Sequence, residues 1–384
     1  MNFEFATASR IIFGPGALDN IGMHAARMGH KALVVTGKNV QRAERLFSQM
    51  AENHISWDVF SVSGEPEIGT IQEGVGAARK AKADLIIGFG GGSAIDAAKA
   101  IGALVTNPGD ILEYLEVIGK GNPLQNQPLA IIAIPTTAGT GSEVTRNAVL
   151  GVPESGLKIS MRSEKMLPQL ALIDPELTYS LPPDVTASTG MDALTQLIEA
   201  FVSNRANPMI DALCRDGIYR IARSLRDAYW NGEDSARQDM CLGSLFGGLA
   251  LANAKLGADH GLAGVLGGRY SAPHGSVCAR LLPEVMQVNI HALLQRDPQN
   301  PSIPKYREIA CLVTQNQDAT IEDGIRWVKG LCEELGIQSL SNYGIKIEDY
   351  QEIITHAQKA SSMQGNPIKL TQAELSEILT NAMD

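Results

Sequence analysis

The sequence predicts an N-terminal α/β domain built on a doubly wound, Rossmann-like parallel sheet, followed by an all-α C-terminal domain. Short apolar runs alternate with segments of helical spacing through the first part of the chain. That alternation marks parallel strands joined by crossover helices. Two of the turns after such runs are crowded with glycine and hydroxyl side chains. Beyond Leu181-Pro182-Pro183 strand-like runs become few. The 384 residues suffice for two domains with separate cores. We place the α/β domain at residues 1–184 and the helical domain at 185–384.

Taken in order, residues 3–13 alternate apolar and polar side chains and end at Gly14-Pro15-Gly16, which predicts a strand or hairpin and a turn. Strands are expected at 31–36, 57–62, 84–88 and 129–134, the first of them of buried type, with helices at 40–53, 71–82 and 95–105 between them. In the second half, residues 188–200 have helical period, and Asp192 and Gln196, four apart, share one face. Residues 321–335 read as an amphipathic helix, 359–368 as a loop and 371–383 as a final helix.

Gly88-Phe-Gly90-Gly91-Gly92-Ser93 lies between a strand and a helix. Glycines let a backbone approach a pyrophosphate, and the N-terminus of the following helix attracts its charge. The run departs from the usual dinucleotide fingerprint, since Ser93 stands where the third glycine belongs. Alone it is equally a structural turn. Pro135-Thr-Thr-Ala-Gly-Thr-Gly-Ser-Glu-Val-Thr145 follows the next strand. It reads either as a helix-capping loop or as part of a ligand crevice, and two such loops on one sheet favour a shared nucleotide.

His260 and His274 are fourteen residues apart with Gly267-Gly268 between them. A helix ending at the glycine pair and a return through Tyr270 and Pro273 brings them together. They are metal ligands or ordinary polar residues. Asp192 among apolar neighbours is a helix-surface carboxylate or a third ligand.

The net charge of −10, without any run of Lys or Arg, argues against nucleic acid or an anionic membrane as partner. No apolar stretch has membrane-spanning length, and the start lacks signal-peptide character, so a cytoplasmic protein is expected. Cys214, Cys241, Cys278, Cys311 and Cys332 are scattered without a CxxC pair. They read as small buried hydrophobes in a reducing compartment.

Together these stretches resemble the iron-containing (group III) alcohol dehydrogenase family over nearly the whole chain, from Phe13-Gly-Pro-Gly16 to Gly365-Asn-Pro-Ile368. The most specific matches are Gly90-Gly-Gly-Ser-Ala-Ile-Asp-Ala-Ala-Lys99, the run from Pro135 to Thr145, Gly190-Met-Asp-Ala-Leu194 and Ala272-Pro-His-Gly275. The resemblance implies a dinucleotide-binding first domain, a helical second domain and an active cleft between them. It places Gly91, Gly92 and Ser93 at the pyrophosphate and Thr136, Thr137 and Thr140 beside the nucleotide, with Lys158 and Leu177 nearby. It also implies one divalent metal, iron or zinc, at Asp192, Gln196, His260 and His274. Asp192, His260 and His274 form the catalytic set through that metal.

Three positions depart from the family pattern. Gln196 stands where the family has a second histidine, a neutral and weaker ligand. Gly264 stands where many members carry a histidine that handles a proton, and Asp259 is a poor substitute because helix neighbours point about 100° apart. Gly37 stands where NAD-preferring members carry an acidic residue, with Lys38 beside it, which tilts the choice between NAD and NADP toward NADP.

The resulting expectation is a metal-assisted, NAD(P)-dependent alcohol dehydrogenase or aldehyde reductase. It would act on a small alcohol or aldehyde as a homodimer or higher homo-oligomer. The alternatives are a metal-free enzyme like maleylacetate reductase, an enzyme like dehydroquinate synthase or glycerol dehydrogenase, and a nucleotide-binding protein without catalysis.

Overall fold

The apolar runs at residues 31–36, 85–90 and 130–135 bury nearly every side chain, so they form the middle of a sheet covered on both faces. The computed structural model describes residues 2–154, 156–270 and 272–383. The strands are β1 (Ile11–Phe13), β2 (Lys31–Thr36), β3 (Ser56–Ser61), β4 (Leu85–Gly90), β5 (Ala130–Pro135), β6 (Asn147–Val152), β7 (Leu157–Arg162) and β8 (Leu170–Ile173). Six of them form one parallel sheet in the order β1-β8-β5-β4-β2-β3. The remaining two, β6 and β7, pair as an antiparallel hairpin.

The first helices are α1 (Ile21–Ala25), α2 (Glu44–Glu52), α3 (Ile68–Ala81) and α4 (Gly92–Thr106). Strand alternation divides the core. Leu33, Val35 and Ile86 pack with Ile71, Val75 and Ile101 of α3 and α4 on one face. Val34, Ile87 and Ile132 pack with Ile21, Leu46 and Met50 of α1 and α2 on the other. Residues Ala6–Thr137 and Gly141–Ser180 form this unit.

The second unit runs from Leu181 onward and includes Ala138–Thr140 and the residues up to Phe5. It is built of α5 (Pro183–Val202), α6 (Pro208–Trp230), α7 (Asp234–Ala254), α8 (Ala258–Arg269), α9 (His274–Arg296), α10 (Ser302–Thr314), α11 (Ile321–Glu334), α12 (Tyr350–Ala357) and α13 (Gln372–Asn381). No strand occurs in it among the described residues. Helix α5 is buried along most of its length and packs against α6, α7 and α9. Gly275 lets the start of α9 approach α5: a Cβ there would stand 2.0 Å from the Ser188 carbonyl oxygen. No single helix among the described residues is long and apolar enough to cross a membrane.

The structure corrects the first element. Only Ile11–Phe13 of the alternating stretch at 3–13 is strand, because its pairing with β8 extends no further. It also adds β6, β7 and β8, which the sequence reading passed over. Strand β8 has only 4 residues, and β6 and β7 alternate half-buried positions next to a loop read for its chemistry.

Candidate functional site

Helix α5 carries Asp192, Gln196 and Glu199 on one face, at i, i+4 and i+7. Helix α8 brings His260, and the first two turns of α9 bring His274 and Cys278. His260 Nε2 lies 3.2 Å from Asp192 Oδ1, and His274 Nε2 lies 3.9 Å from the same oxygen. The Cys278 sulfur is 3.9 Å from His260 Nε2 and 3.7 Å from His274 Nε2. One donor atom from each of Asp192, His260, His274 and Cys278 lies within 4.8 Å of all the others.

Glu199 sets the orientation of His260. Its carboxylate accepts from His260 Nδ1 at 2.8 Å and from the backbone N–H groups of Asp259 and His260 at 2.8 and 3.4 Å. A negative charge at the N-terminus of α8 is stabilised by the helix dipole. With Nδ1 committed to Glu199, Nε2 is the atom turned to Asp192. Gly257 leaves room for this arrangement, since a Cβ there would come within 2.7 Å of Glu199. Asn366 of the Gly365-Asn-Pro-Ile368 run accepts from the Ala258 N–H at 3.1 Å and exchanges hydrogen bonds with Asn289, which ties the start of α8 to α9.

Burial raises the Asp192 carboxyl, but the His260 hydrogen bond, the His274 and His260 charges and the Gln196 amide outweigh it and hold its pKa below the ordinary value. Burial pulls His260 down, yet the Cys278 sulfur and the hydrogen bonds to Asp192 and Glu199 raise it well above the ordinary range. Asp259 is raised by burial and by Glu199. Neither of its carboxylate oxygens has a hydrogen bond of good geometry, and the Cys278 thiol beside it gives only a weak interaction. Gln196 Oε1 is likewise buried with no hydrogen-bond partner among the described residues. A buried amide oxygen without a partner, one helical turn from the Asp192 carboxylate, carries a desolvation cost that a cation within its reach would relieve. The residues fit a divalent metal.

In the sheet unit, β5, β4 and β2 are neighbours, so the chain segments leaving their carboxyl ends lie side by side. Gly91 caps α4, and Gly92 and Ser93 form its first turn. The Gly37 nitrogen lies 3.4 Å from the point where a Cβ at Gly90 would stand, and Thr137 is as close to the corresponding point at Gly91. The Thr136 N–H donates to the Gly90 carbonyl at 2.9 Å. Two residues of the glycine-rich motif clamp the loop after β5. Lys99, fully buried, donates to the Ser142 carbonyl at 2.9 Å, to Thr145 Oγ1 at 3.0 Å and to the Asn147 carbonyl, and it pairs with Asp96 at 2.9 Å. Asp96 in turn accepts from the Ser142 hydroxyl and, at 2.9 Å, from the Val149 N–H.

Residues 8–175 match the family model for iron-containing alcohol dehydrogenase, and residues 186–383 match the C-terminal model of the Fe-containing alcohol dehydrogenase family. The chain belongs to the iron-containing alcohol dehydrogenase family. It is 35% identical to the 1,3-propanediol dehydrogenase of Citrobacter freundii over 99% of this chain and 98% of that protein. Among solved structures, a 1,3-propanediol oxidoreductase superposes with a TM-score of 0.91 at 34% identity, covering 100% of both chains. Sulfoacetaldehyde reductase from Bifidobacterium kashiwanohense, solved in complex with NAD+, has a TM-score of 0.88 at 27% identity, covering 100% of this chain and 99% of that one. This iron-containing alcohol dehydrogenase is an oxidoreductase acting on CH–OH groups, interconverting alcohols and aldehydes.

Of the site residues expected from the family pattern, Asp192, His260 and His274 converge, with Gln196 on the same face of α5. Gly37, Gly91, Gly92, Ser93, Thr136 and Thr137 gather at the carboxyl edge of the sheet, with Lys38 exposed beside Gly37. Leu177 follows β8, and its carbonyl accepts from Arg42 at 2.6 Å. Thr140 falls in the segment grouped with the helical unit. Lys158 sits on β7, paired with Glu65 at 3.0 Å. Gly264 has open space: a Cβ there would meet nothing within 4 Å.

The expectation that every cysteine is a buried hydrophobe needs two corrections. Cys311 is half-buried, and Cys278 stands among ligand-type side chains. Glu199, Lys99 and Asp96 were also missed. The spacings Asp192–Gln196–Glu199 and His274–Cys278, each following a helical face, were the available signals.

Proposed function

We propose that the enzyme interconverts small primary alcohols and aldehydes with NADP as preferred hydride partner and a divalent metal, iron or zinc, held by Asp192, His260 and His274 with Gln196 beside them. The observation that carries this reading is the convergence of one carboxylate and two imidazoles, beside a helix face whose Gln196 amide oxygen is buried without a hydrogen-bond partner among the described residues. A divalent metal bound there supplies Lewis acidity toward the substrate oxygen. Asp192 provides the fixed negative charge, and Glu199 holds His260 so that Nε2 faces the donor set. Neither imidazole acts as a base while it serves as a ligand.

Gly91, Gly92 and Ser93 at the α4 N-terminus suit the pyrophosphate, and Thr136, Thr137 and Thr140 supply hydroxyls for the nucleotide, with Lys158 and Leu177 at its margins. The absence of a side chain at Gly37 leaves nothing to repel a 2′-phosphate, and Lys38 adds a positive charge. With no imidazole at Gly264, either water and the cofactor ribose would carry the proton or another side chain would substitute. A homodimer in the cytoplasm completes the reading.

The test is chelation of the purified protein, followed by NADPH and NADH oxidation with short aldehydes, with and without Fe²⁺, Zn²⁺ or Mn²⁺. Activity that returns only with metal, and more strongly with NADPH, is the expected result. Full activity in the chelated protein would overturn the metal reading and point to a metal-free reductase.

A further inference from the structure

Helix α9 presents two donor-type side chains to one point. His274 and Cys278 are separated by one helical turn, so they project from the same face. Cys278 is fully buried, and its sulfur has both imidazole Nε2 atoms as neighbours, at 3.9 and 3.7 Å. These nitrogens are the ones facing Asp192 Oδ1, at 3.2 and 3.9 Å. Nitrogen and sulfur donors around a tetrahedral zinc, with bonds of about 2.0–2.3 Å, stand roughly 3.3–3.6 Å from one another. Four of the six donor–donor distances are therefore within a few tenths of an ångström of those values, and every pair lies within 4.8 Å.

The Cys278 thiol also has the Asp259 carboxylate beside it, whereas two other cysteines are directed to backbone carbonyls. Cys332 donates to the Ala279 carbonyl at 3.1 Å, and Cys311 donates to the Gln317 carbonyl at 3.4 Å. Gln196, at the position where the family pattern has a histidine, offers a neutral amide oxygen of low affinity for zinc or iron. A thiolate supplies a negative charge and a stronger donor at the same centre. Together with Asp192 it neutralises a divalent ion.

We propose that Cys278 is the fourth metal donor of this enzyme, a thiolate that replaces the missing imidazole at Gln196 and turns the site toward zinc. The inference rests on the metal reading of the preceding subsection, and the test separates the two. A coordinated thiol is deprotonated outright, so the proton on sulfur is exchanged for the metal and released to solvent. Asp192, His260, His274 and Cys278 then form the donor set, and Gln196 hydrogen-bonds beside it.

The full-length protein, stripped with chelator, is titrated with Co²⁺ and its absorption recorded. The expected result is a thiolate-to-cobalt charge-transfer band that saturates at one equivalent. It should survive in Gln196→Ala and in Cys311→Ser and vanish in Cys278→Ser. In parallel, Zn²⁺ affinity by chelator competition should fall in Cys278→Ser by more than the roughly 10–100-fold typical of an outer partner of a ligand. The wild-type spectrum alone decides the matter if the serine variant fails to fold. One bound cobalt without the band overturns the Cys278 assignment and leaves the Asp192, His260 and His274 site standing. Failure to bind any divalent ion overturns both.

Discussion

Lys99→Met removes the one ammonium that joins α4 to the loop after β5 while keeping most of the side-chain volume. The wild-type Nζ reaches the Ser142 carbonyl, Thr145 Oγ1, the Asn147 carbonyl and Asp96 from a fully buried position. Burial depresses the lysine pKa, and the Asp96 and Glu143 charges oppose that pull. Removing one partner of a buried ion pair costs about 3–5 kcal/mol. Here the cost should lie near the lower figure. Asp96 keeps the Ser142 hydroxyl and the Val149 N–H, and the Ser142 carbonyl still accepts from Thr145. The assay is urea unfolding of the sheet unit followed by Trp57, which stacks on Phe47 at 5.3 Å, in a Trp230→Phe/Trp327→Phe background. We expect a loss of about 3 kcal/mol at unchanged m-value, together with weaker NADPH binding as residues 141–147 loosen. A loss below about 1 kcal/mol, in the range of a single ordinary hydrogen bond, would refute the clamp.

Glu199→Gln preserves shape but removes the charge that holds His260 Nδ1, so metal affinity should fall about 10–100-fold in chelator competition; unchanged affinity would show that Glu199 does not position the imidazole. Gly37→Asp should lower the ratio of kcat/KM for NADPH over NADH by about tenfold, or about 1.4 kcal/mol, and an unaltered ratio would remove Gly37 from coenzyme selection. Glu143 is lifted to about 7 by burial, against the opposing pull of its backbone hydrogen bond and Lys99. The folded state therefore holds this proton more tightly than the unfolded chain. Its contribution is full below the unfolded value of 4.5 and is lost as pH rises through about 7. Glu143→Gln should accordingly gain on the wild type by up to about 3 kcal/mol between pH 4 and pH 8 in urea unfolding, and parallel stability profiles would contradict that assignment.

Much of the fold is legible in the sequence because the signals are local. The runs that become β2, β4 and β5 are apolar enough to require cover on both faces, and the period of residues 188–200 already places Asp192 and Gln196 on one side of α5. The Ala272-Pro-His-Gly275 match singles out His274, and the family resemblance adds His260. The β6–β7 hairpin and β8 escape because their burial comes from neighbours supplied by distant parts of the chain. The same holds within the site. The spacing from His274 puts Cys278 on the same helical face, but only the approach of α9 to α5, which Gly275 permits, sets its sulfur beside two imidazoles. Glu199 reads as one more polar residue until α8 ends against it and presents two N–H groups and an imidazole. Periodicity and motif thus determined the layers and three of the ligand-type residues. Long-range packing decided which side chains accompany them, because distances between helices depend on the closest side chains at each crossing.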